Sequence, residues 1–102
     1  MIKFTVLYPY SEDSRFDHDY YAAKHCAMAQ DRMQSLRYEI DRGVTGAAPG
    51  SPPAFHAMVH FYFADLAAFQ AGLAKGGSEL GADVPNYTDV APVIQVSEVV
   101  EG

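Results

Sequence analysis

Hydrophobic and polar residues alternate over Met1–Tyr8, with Ile2, Phe4, Val6 and Tyr8 on one face and Lys3, Thr5 and Leu7 on the other. A period of two predicts a strand. Pro9 and the polar run from Tyr10 to Ser14 end it in a loop. From Asp17 to about Ser35 the period becomes helical, and Ala22, Cys26, Ala29 and Met33 form an apolar stripe of mostly small side chains. Asp17 suits the N-cap, where its carboxylate accepts from the orphan N–H groups of the first turn, and Asp19 adds negative charge there. With that cap, Phe16 and Tyr21 take the two positions of a hydrophobic staple. Leu36–Thr45 predicts a half-polar strand with Tyr38, Ile40 and Val44 on one face, and Gly46–Pro53 is a loop. Phe55–Phe63, rich in aromatics and free of Gly and Pro, is the strongest strand pattern.

Asp65 then caps a second helix of about ten residues with Leu66, Phe69 and Leu73 spaced for one buried face, and Gly76-Gly77 are expected to stop it. Gly81–Ala91 has little periodicity and is expected to be a long loop serving as a lid or a dimer arm. Pro92–Val100 is the last strand, with Pro92 at its first position. The order β-α-β-β-α-β predicts an α+β, ferredoxin-like domain over residues 1–102, with a four-stranded antiparallel sheet. Right-handed crossovers place the first and third strands at its centre and the polar second strand at an edge.

Two helices cover one sheet face only. The other face would carry Thr5, Leu7, His56, Met58, His60, Tyr62, Val93, Gln95, Ser97 and Val99, too apolar a set to leave in water. A homodimer closing sheet on sheet is therefore expected, with room for a lined cavity between the sheets.

Composition narrows the function classes. The chain is 49% hydrophobic and 20% charged, a globular balance, and carries a net charge of −6 with seven scattered basic residues. Nothing clusters to neutralise phosphates, so neither nucleic acid nor an anionic membrane is expected as a partner. No apolar run approaches the roughly 20 residues of a membrane span. Lys3 and alternation follow Met1 without a signal-peptide pattern, and the lone Cys26 cannot form an internal disulfide. A cytoplasmic protein is expected.

The candidate chemistry gathers in the first helix, where Tyr21, His25 and Met28 fall at i, i+4 and i+7 on one side. His25 has the right ordinary pKa to act as a general base or a polar anchor at neutral pH. Tyr8, Tyr20, Tyr21 and Tyr62 can donate hydrogen bonds to a carbonyl or phenol, or simply pack. Metal binding fails on local geometry. His56 and His60 lie about 13 Å apart along a strand, and His18 and His25 roughly 10 Å apart along a helix. Cys26, on the apolar stripe, reads as a buried inert thiol. No G-x-G-x-x-G opens a helix, so no dinucleotide site is visible and no cofactor is expected.

The segments Met1–Pro9, Arg15-Phe16-Asp17 with Tyr20-Tyr21 and His25, Asp83–Thr88, and Pro92–Ser97 together carry a family resemblance. The chain resembles the EthD family, named for ethyl tert-butyl ether degradation, within the dimeric α/β-barrel superfamily. The family usually reads His-x-Pro-Leu after the tyrosines; here Ala27 and Met28 stand in the last two places. Without a proline, the helix is expected to run straighter at this turn. The resemblance implies a homodimer that binds, and transforms, a small apolar or aromatic compound in catabolism, as an oxidoreductase without bound cofactor. His25 would take or hold a proton while Tyr20 or Tyr21 orients a substrate oxygen. Tyr8, Tyr20, Met28, His60, Tyr62, Asn86, Tyr87 and Gln95 are the candidate substrate-binding residues. His25 favours a pocket between sheet and helix; His60, Tyr62 and Gln95 favour one inside the barrel. The alternatives are a non-catalytic carrier and a haem-handling protein with His25 or His60 as axial ligand.

Overall fold

A computed structural model describes all 102 residues. Strands β1 (Ile2–Pro9), β2 (Arg37–Arg42), β3 (Phe55–Phe63) and β4 (Val93–Glu98) form one sheet in the order β2-β3-β1-β4, every pair antiparallel. This is the ferredoxin-like α+β arrangement, with the two most apolar strands central and β2 at an edge. Phe4, Val6 and Tyr8 of β1 and Ala57, Val59, Phe61 and Phe63 of β3 point together toward the helices and form the core. The second strand is shorter than its pattern suggested, because Leu36 and Val44 lie outside it, exposed. No helix is long and apolar enough to cross a membrane.

The first helix is not one regular α-helix. It consists of α1 (His18–Tyr20), a π turn over Tyr21–His25 and α2 (Cys26–Met33). Asp17 caps it as expected, accepting from the Tyr20 N–H at 3.0 Å, and Phe16 packs on Tyr21 with ring centres 5.0 Å apart. The absence of proline did not leave this turn straight: the N–H of Cys26 reaches back to the carbonyl of Tyr21, five residues earlier. A plain α-helix would pair Cys26 with Ala22 on the inner face. One extra residue in the turn moves that place to Tyr21, so Tyr21 is buried and Ala22 is exposed. The expected stripe is corrected at its first member, and a phenol enters the core where a methyl group was foreseen.

The second helix, α3 (Leu66–Asp83), has 18 residues and runs through Gly76-Gly77. Its inner face is Phe69, Gly72, Gly76, Leu80 and Asp83, a 3-4-4-3 spacing. The glycines there do not end the helix; they let it approach the first one. A Cβ on Gly72 would lie 2.7 Å from the Met33 carbonyl oxygen, and one on Gly76 would lie 2.7 Å from the Arg32 Cβ. Leu66 and Leu73, expected inside, are exposed.

The segment expected as a free loop is largely helical. α3 is followed by a 3₁₀ turn over Val84–Asn86, and Tyr87 and Thr88 are fully buried. They are fixed to the chain's own entry to α1 rather than held out as an arm. Asp17 N–H donates to the Tyr87 carbonyl at 2.8 Å, Thr88 Oγ1 donates to the Arg15 carbonyl at 2.6 Å, and Arg15 N–H donates to Asp89 at 2.8 Å.

The two kinds of helical glycine should respond oppositely to alanine. Gly72→Ala should lower the unfolding free energy by about 1–3 kcal/mol through overpacking against Met33. A Cβ added at Gly81 would meet no atom within 4 Å. Gly81→Ala should therefore gain up to about 1 kcal/mol from reduced unfolded-state freedom. Urea denaturation of both variants decides the matter; equal losses would show that the helix contact is not glycine-limited.

Candidate functional site

The end of β1, the π turn and the segment after α3 meet at an aromatic cluster. Tyr8, Phe16, Tyr21, His25 and Tyr87 pack ring against ring at 4.6–5.7 Å, mostly edge to face. This geometry suits aromatic quadrupoles and buries large apolar area. The π turn stacks Tyr21 on His25, at 5.5 Å and 16°.

Through this cluster runs one hydrogen-bonded chain. Asp83 Oδ2 lies 2.8 Å from His25 Nδ1, His25 Nε2 lies 3.3 Å from the Tyr87 hydroxyl, and that hydroxyl lies 2.7 Å from the Tyr8 hydroxyl. Two further donors hold Asp83 Oδ1: the Tyr20 hydroxyl at 2.8 Å and Asn86 Nδ2 at 2.9 Å. Burial pulls the Asp83 carboxyl upward, but Asn86, His25 and Tyr20 together outweigh it and hold its pKa below the usual value. An ionised carboxylate only accepts, so Nδ1 of His25 carries the proton that it donates. Nε2 is then an acceptor, Tyr87 donates to it, and Tyr8 donates to the Tyr87 oxygen. Burial lowers the His25 pKa, against the opposing pull of Asp83, so the resting ring is neutral. Burial likewise raises the pKa of Tyr8, Tyr21 and Tyr87. The phenols therefore rest neutral.

The chain borders a cavity of about 140 Å³ between the sheet and the helices. Tyr8, Tyr21 and His25 line its polar end, while Val6, Val59, Phe61 and Leu80 are among its apolar walls. Gly77, Gly81, Pro92 and Ile94 line the side toward the sheet edge, where Ile94 is exposed. The hydroxyl of Tyr21, a residue only 1% exposed, makes no hydrogen bond of good geometry, although the Tyr8 hydroxyl and the Cys26 thiol lie beside it. A buried unpaired hydroxyl is costly and calls for an explanation.

The structure thus joins Tyr8, Tyr20, Tyr21, His25, Asn86 and Tyr87, but not in one role. Only Tyr8, Tyr21 and His25 face the cavity. Tyr20 and Asn86 serve Asp83, and Tyr87 links His25 to Tyr8. Met28 lines a separate shallow groove with Glu79, Ala82, Asp83 and Asn86. His60, Tyr62 and Gln95 lie on the opposite sheet face. There His60 bridges Thr5 and Asp41 at 3.0 and 2.9 Å, Tyr62 donates to Glu39 at 2.8 Å beneath the Arg37 guanidinium, and Gln95 donates to Ser97 at 3.0 Å. Asp83 is the residue that sequence reasoning missed. Had α3 been extended through its glycines, the 3-4-4-3 spacing would have placed a carboxylate on the inner face. Cys26 is buried, its thiol pushed up to about 12 by burial, an inert structural position. No three His, Cys, Asp or Glu side chains converge as a ligand set.

A ferredoxin-like sheet with a tyrosine–histidine–aspartate chain under its helices defines a class of small α+β proteins with a pocket between the layers. The EthD domain pattern matches residues 10–91, and the chain belongs to the EthD family. It is similar to a solved EthD-like protein from Ralstonia eutropha JMP134, with 44% identity and a TM-score of 0.92 over 98% of this chain and 92% of that one. An ethyl tert-butyl ether degradation (EthD) family protein from Bacillus halodurans C-125 has 18% identity and a TM-score of 0.72, over 98% and 99% of the two chains. An antibiotic biosynthesis monooxygenase shares the fold at 12% identity and a TM-score of 0.51, over 99% and 100%. No match was found among curated proteins.

The depressed His25 pKa has a fixed consequence for stability. Its folded value lies below the ordinary 6.5, so the contribution is complete above about pH 6.5 and is lost as pH falls through the folded value. His18 and His56, lowered by burial, act with the same sign. Unfolding free energies from urea titrations at about pH 7.5 and about pH 5.5 should differ, with the lower pH less stable, and His25→Asn should shrink that difference. A flat profile would contradict the neutral buried ring.

Proposed function

We propose that the protein binds a small, largely apolar aromatic compound bearing one oxygen function in the cavity, and takes a proton from it. The observation that carries this reading is the unpartnered Tyr21 hydroxyl beside the end of the Tyr8–Tyr87–His25–Asp83 chain, in an otherwise apolar space. The volume sets the size: an apolar cavity of about 150 Å³ accommodates benzene. Tyr21 supplies a hydrogen bond to the ligand oxygen, and the Tyr8 oxygen, whose proton is committed to Tyr87, accepts the ligand's proton. Tyr8 hands its own proton to Tyr87, Tyr87 hands its proton to Nε2, and His25 ends as an imidazolium facing Asp83. General-base catalysis needs this geometry and a base whose pKa lies near the operating pH; burial lowers that of His25 and Asp83 opposes the shift. The resulting anion is electron-rich. An oxidoreductase role in catabolism belongs to the same proposal, since the anion is the form of such a compound that gives up an electron most readily.

The carrier reading shares the same pocket and parts from this one at turnover. Binding of phenols, quinones or aldehydes without conversion of any would establish it. Haem handling fits poorly: the cavity is of single-ring size, and both ring nitrogens of His25 are already engaged.

A homodimer closing over the His60–Tyr62–Gln95 face belongs to the same proposal. Leu7, Met58 and Tyr62 there are mostly apolar side chains covered by no helix, and Val93 is half exposed. Several polar neighbours are already paired within the face, His60 with Thr5 and Asp41 and Tyr62 with Glu39. Sedimentation equilibrium at micromolar concentration should give twice the subunit mass; a stable lone subunit would overturn the dimer.

Calorimetric titration tests the ligand assignment with an internal control. Tyr21→Phe should weaken phenol binding about tenfold, the worth of one hydrogen bond, and leave benzene binding unchanged. The same substitution should raise stability by about 1 kcal/mol, because it removes an orphaned buried hydroxyl. Equal phenol affinity in both proteins would refute the role of Tyr21.

A further inference from the structure

We infer that the Tyr8–Tyr87–His25–Asp83 chain is a proton conduit from the closed cavity to a different surface, so that ligand and proton use separate doors. Its use in chemistry rests on the function proposed above, but the conduit itself stands on the geometry of the ligand-free chain.

The path is continuous from Tyr8 to Asp83, with links of 2.7, 3.3 and 2.8 Å. Tyr87, in the middle, is fully buried, and the His25 side chain keeps 9% of its surface. At the outer end the Asp83 side chain keeps 13% of its surface. Asp83 opens into the shallow groove bounded by Met28, Glu79, Ala82 and Asn86, and no residue of that groove lines the cavity. The wall of the cavity toward the sheet edge is formed instead by Gly77, Gly81 and Ile94, of which Gly81 and Ile94 are exposed. Asp83 ends α3 and Gly81 lies two residues before it, so one helix end separates the groove from that wall.

A proton leaving a ligand O–H goes to the Tyr8 oxygen, the Tyr8 proton to Tyr87, and the Tyr87 proton to His25 Nε2. The Nδ1 proton then moves to the Asp83 carboxylate and from there to water. Each oxygen or nitrogen gains one proton as it gives one up, and the ligand alone keeps the negative charge. Neutral phenols and a neutral imidazole are the right carriers for such hops. The groups facing Asp83 do not compete: Tyr20 and Asn86 donate to its other oxygen, and Glu79 is paired with Arg32 at 3.1 Å. The arrangement lets the proton leave an apolar cavity without a file of water molecules.

Hydrogen–deuterium exchange of individual side-chain protons, followed by NMR on the ligand-free protein, tests the conduit directly. Entry of solvent protons at Asp83 predicts exchange in the order His25 Nδ1–H, then the Tyr87 hydroxyl, then the Tyr8 hydroxyl. Entry through the cavity mouth predicts the reverse, and that order would overturn the inference. Asp83→Asn should slow the exchange of Tyr87 and Tyr8 at least tenfold, while Tyr87→Phe should slow Tyr8 but leave His25 fast. Unchanged Tyr8 exchange in either folded variant would also overturn it.

A second arm uses 4-nitrophenol, whose anion absorbs in the visible, in stopped-flow pH jumps on the preformed complex. Its ionisation should outrun its measured dissociation in the wild type and fall to the dissociation rate in Tyr87→Phe. Ionisation no faster than dissociation in the wild type would count against the conduit. If the exchange order holds but the phenol does not bind, the conduit survives and the ligand assignment above falls.

Discussion

The contact between Asp83 and His25 fixes the direction of every hydrogen bond behind it. A carboxylate can only accept, so one ring nitrogen must donate and the other must accept. That single asymmetry turns four polar groups in an apolar setting into an ordered row of donors, ending at a Tyr8 oxygen with a free lone pair. Reverse it, and Tyr87 would have to accept from His25 and donate to Tyr8, leaving the row pointing into the cavity. The contact also ties the end of α3 to the π turn, so the chemistry and the packing of the two helices depend on one 2.8 Å approach.

Two backbone devices make that approach possible. The π turn shifts the inner face of the first helix by one residue, which brings Tyr21 inward and keeps His25, Cys26, Ala29 and Met33 inward as well. Such turns recur at functional sites because a longer side chain is aimed without breaking the helix. The glycines of α3 allow the second helix to close on the first, with no side chain between the backbone at Gly72 and the Met33 carbonyl. Widen either helix contact by one methyl group, and Asp83 moves away from His25.

The sheet, its strand order, both N-caps and the staple were legible in the sequence because each is a local rule with one solution. Asp17 and Asp65 cap because their carboxylates reach nearby N–H groups, and alternation in β1 and β3 leaves one inward face. Tyr21, His25 and Tyr8 were named as candidates from the sequence, and the fold brings all three to one cavity. Gly76-Gly77 misled, since glycine serves both as a helix terminator and as a contact surface, and the choice is made by Arg32 and Met33, which lie more than forty residues away in the chain. The same error hid Asp83. A regular helix would turn Ala22 inward, and nothing local announces a π turn. The extended loop was misread for a related reason: Tyr87 and Thr88 are held by Arg15 and Asp17, partners that no local pattern can supply.

β3 separates two polar clusters by alternation alone. Val59 and Phe61 face the cavity, while His60 and Tyr62 face away from it. On the outer face every ring nitrogen of His60 and the hydroxyl of Tyr62 is satisfied by a neighbour in the sheet, so the surface is complete without a ligand. On the inner face the sum does not close: Tyr21 has no partner, and the Tyr8 oxygen has capacity to spare. A folded protein tolerates an orphaned buried hydroxyl only where something else repays it. The sequence offered candidates on both faces and favoured the helix side for chemistry; hydrogen-bond satisfaction distinguishes the two faces on physical grounds. The unfinished side is where we propose that a molecule binds, and the finished side is the one we propose lies flat against a second copy.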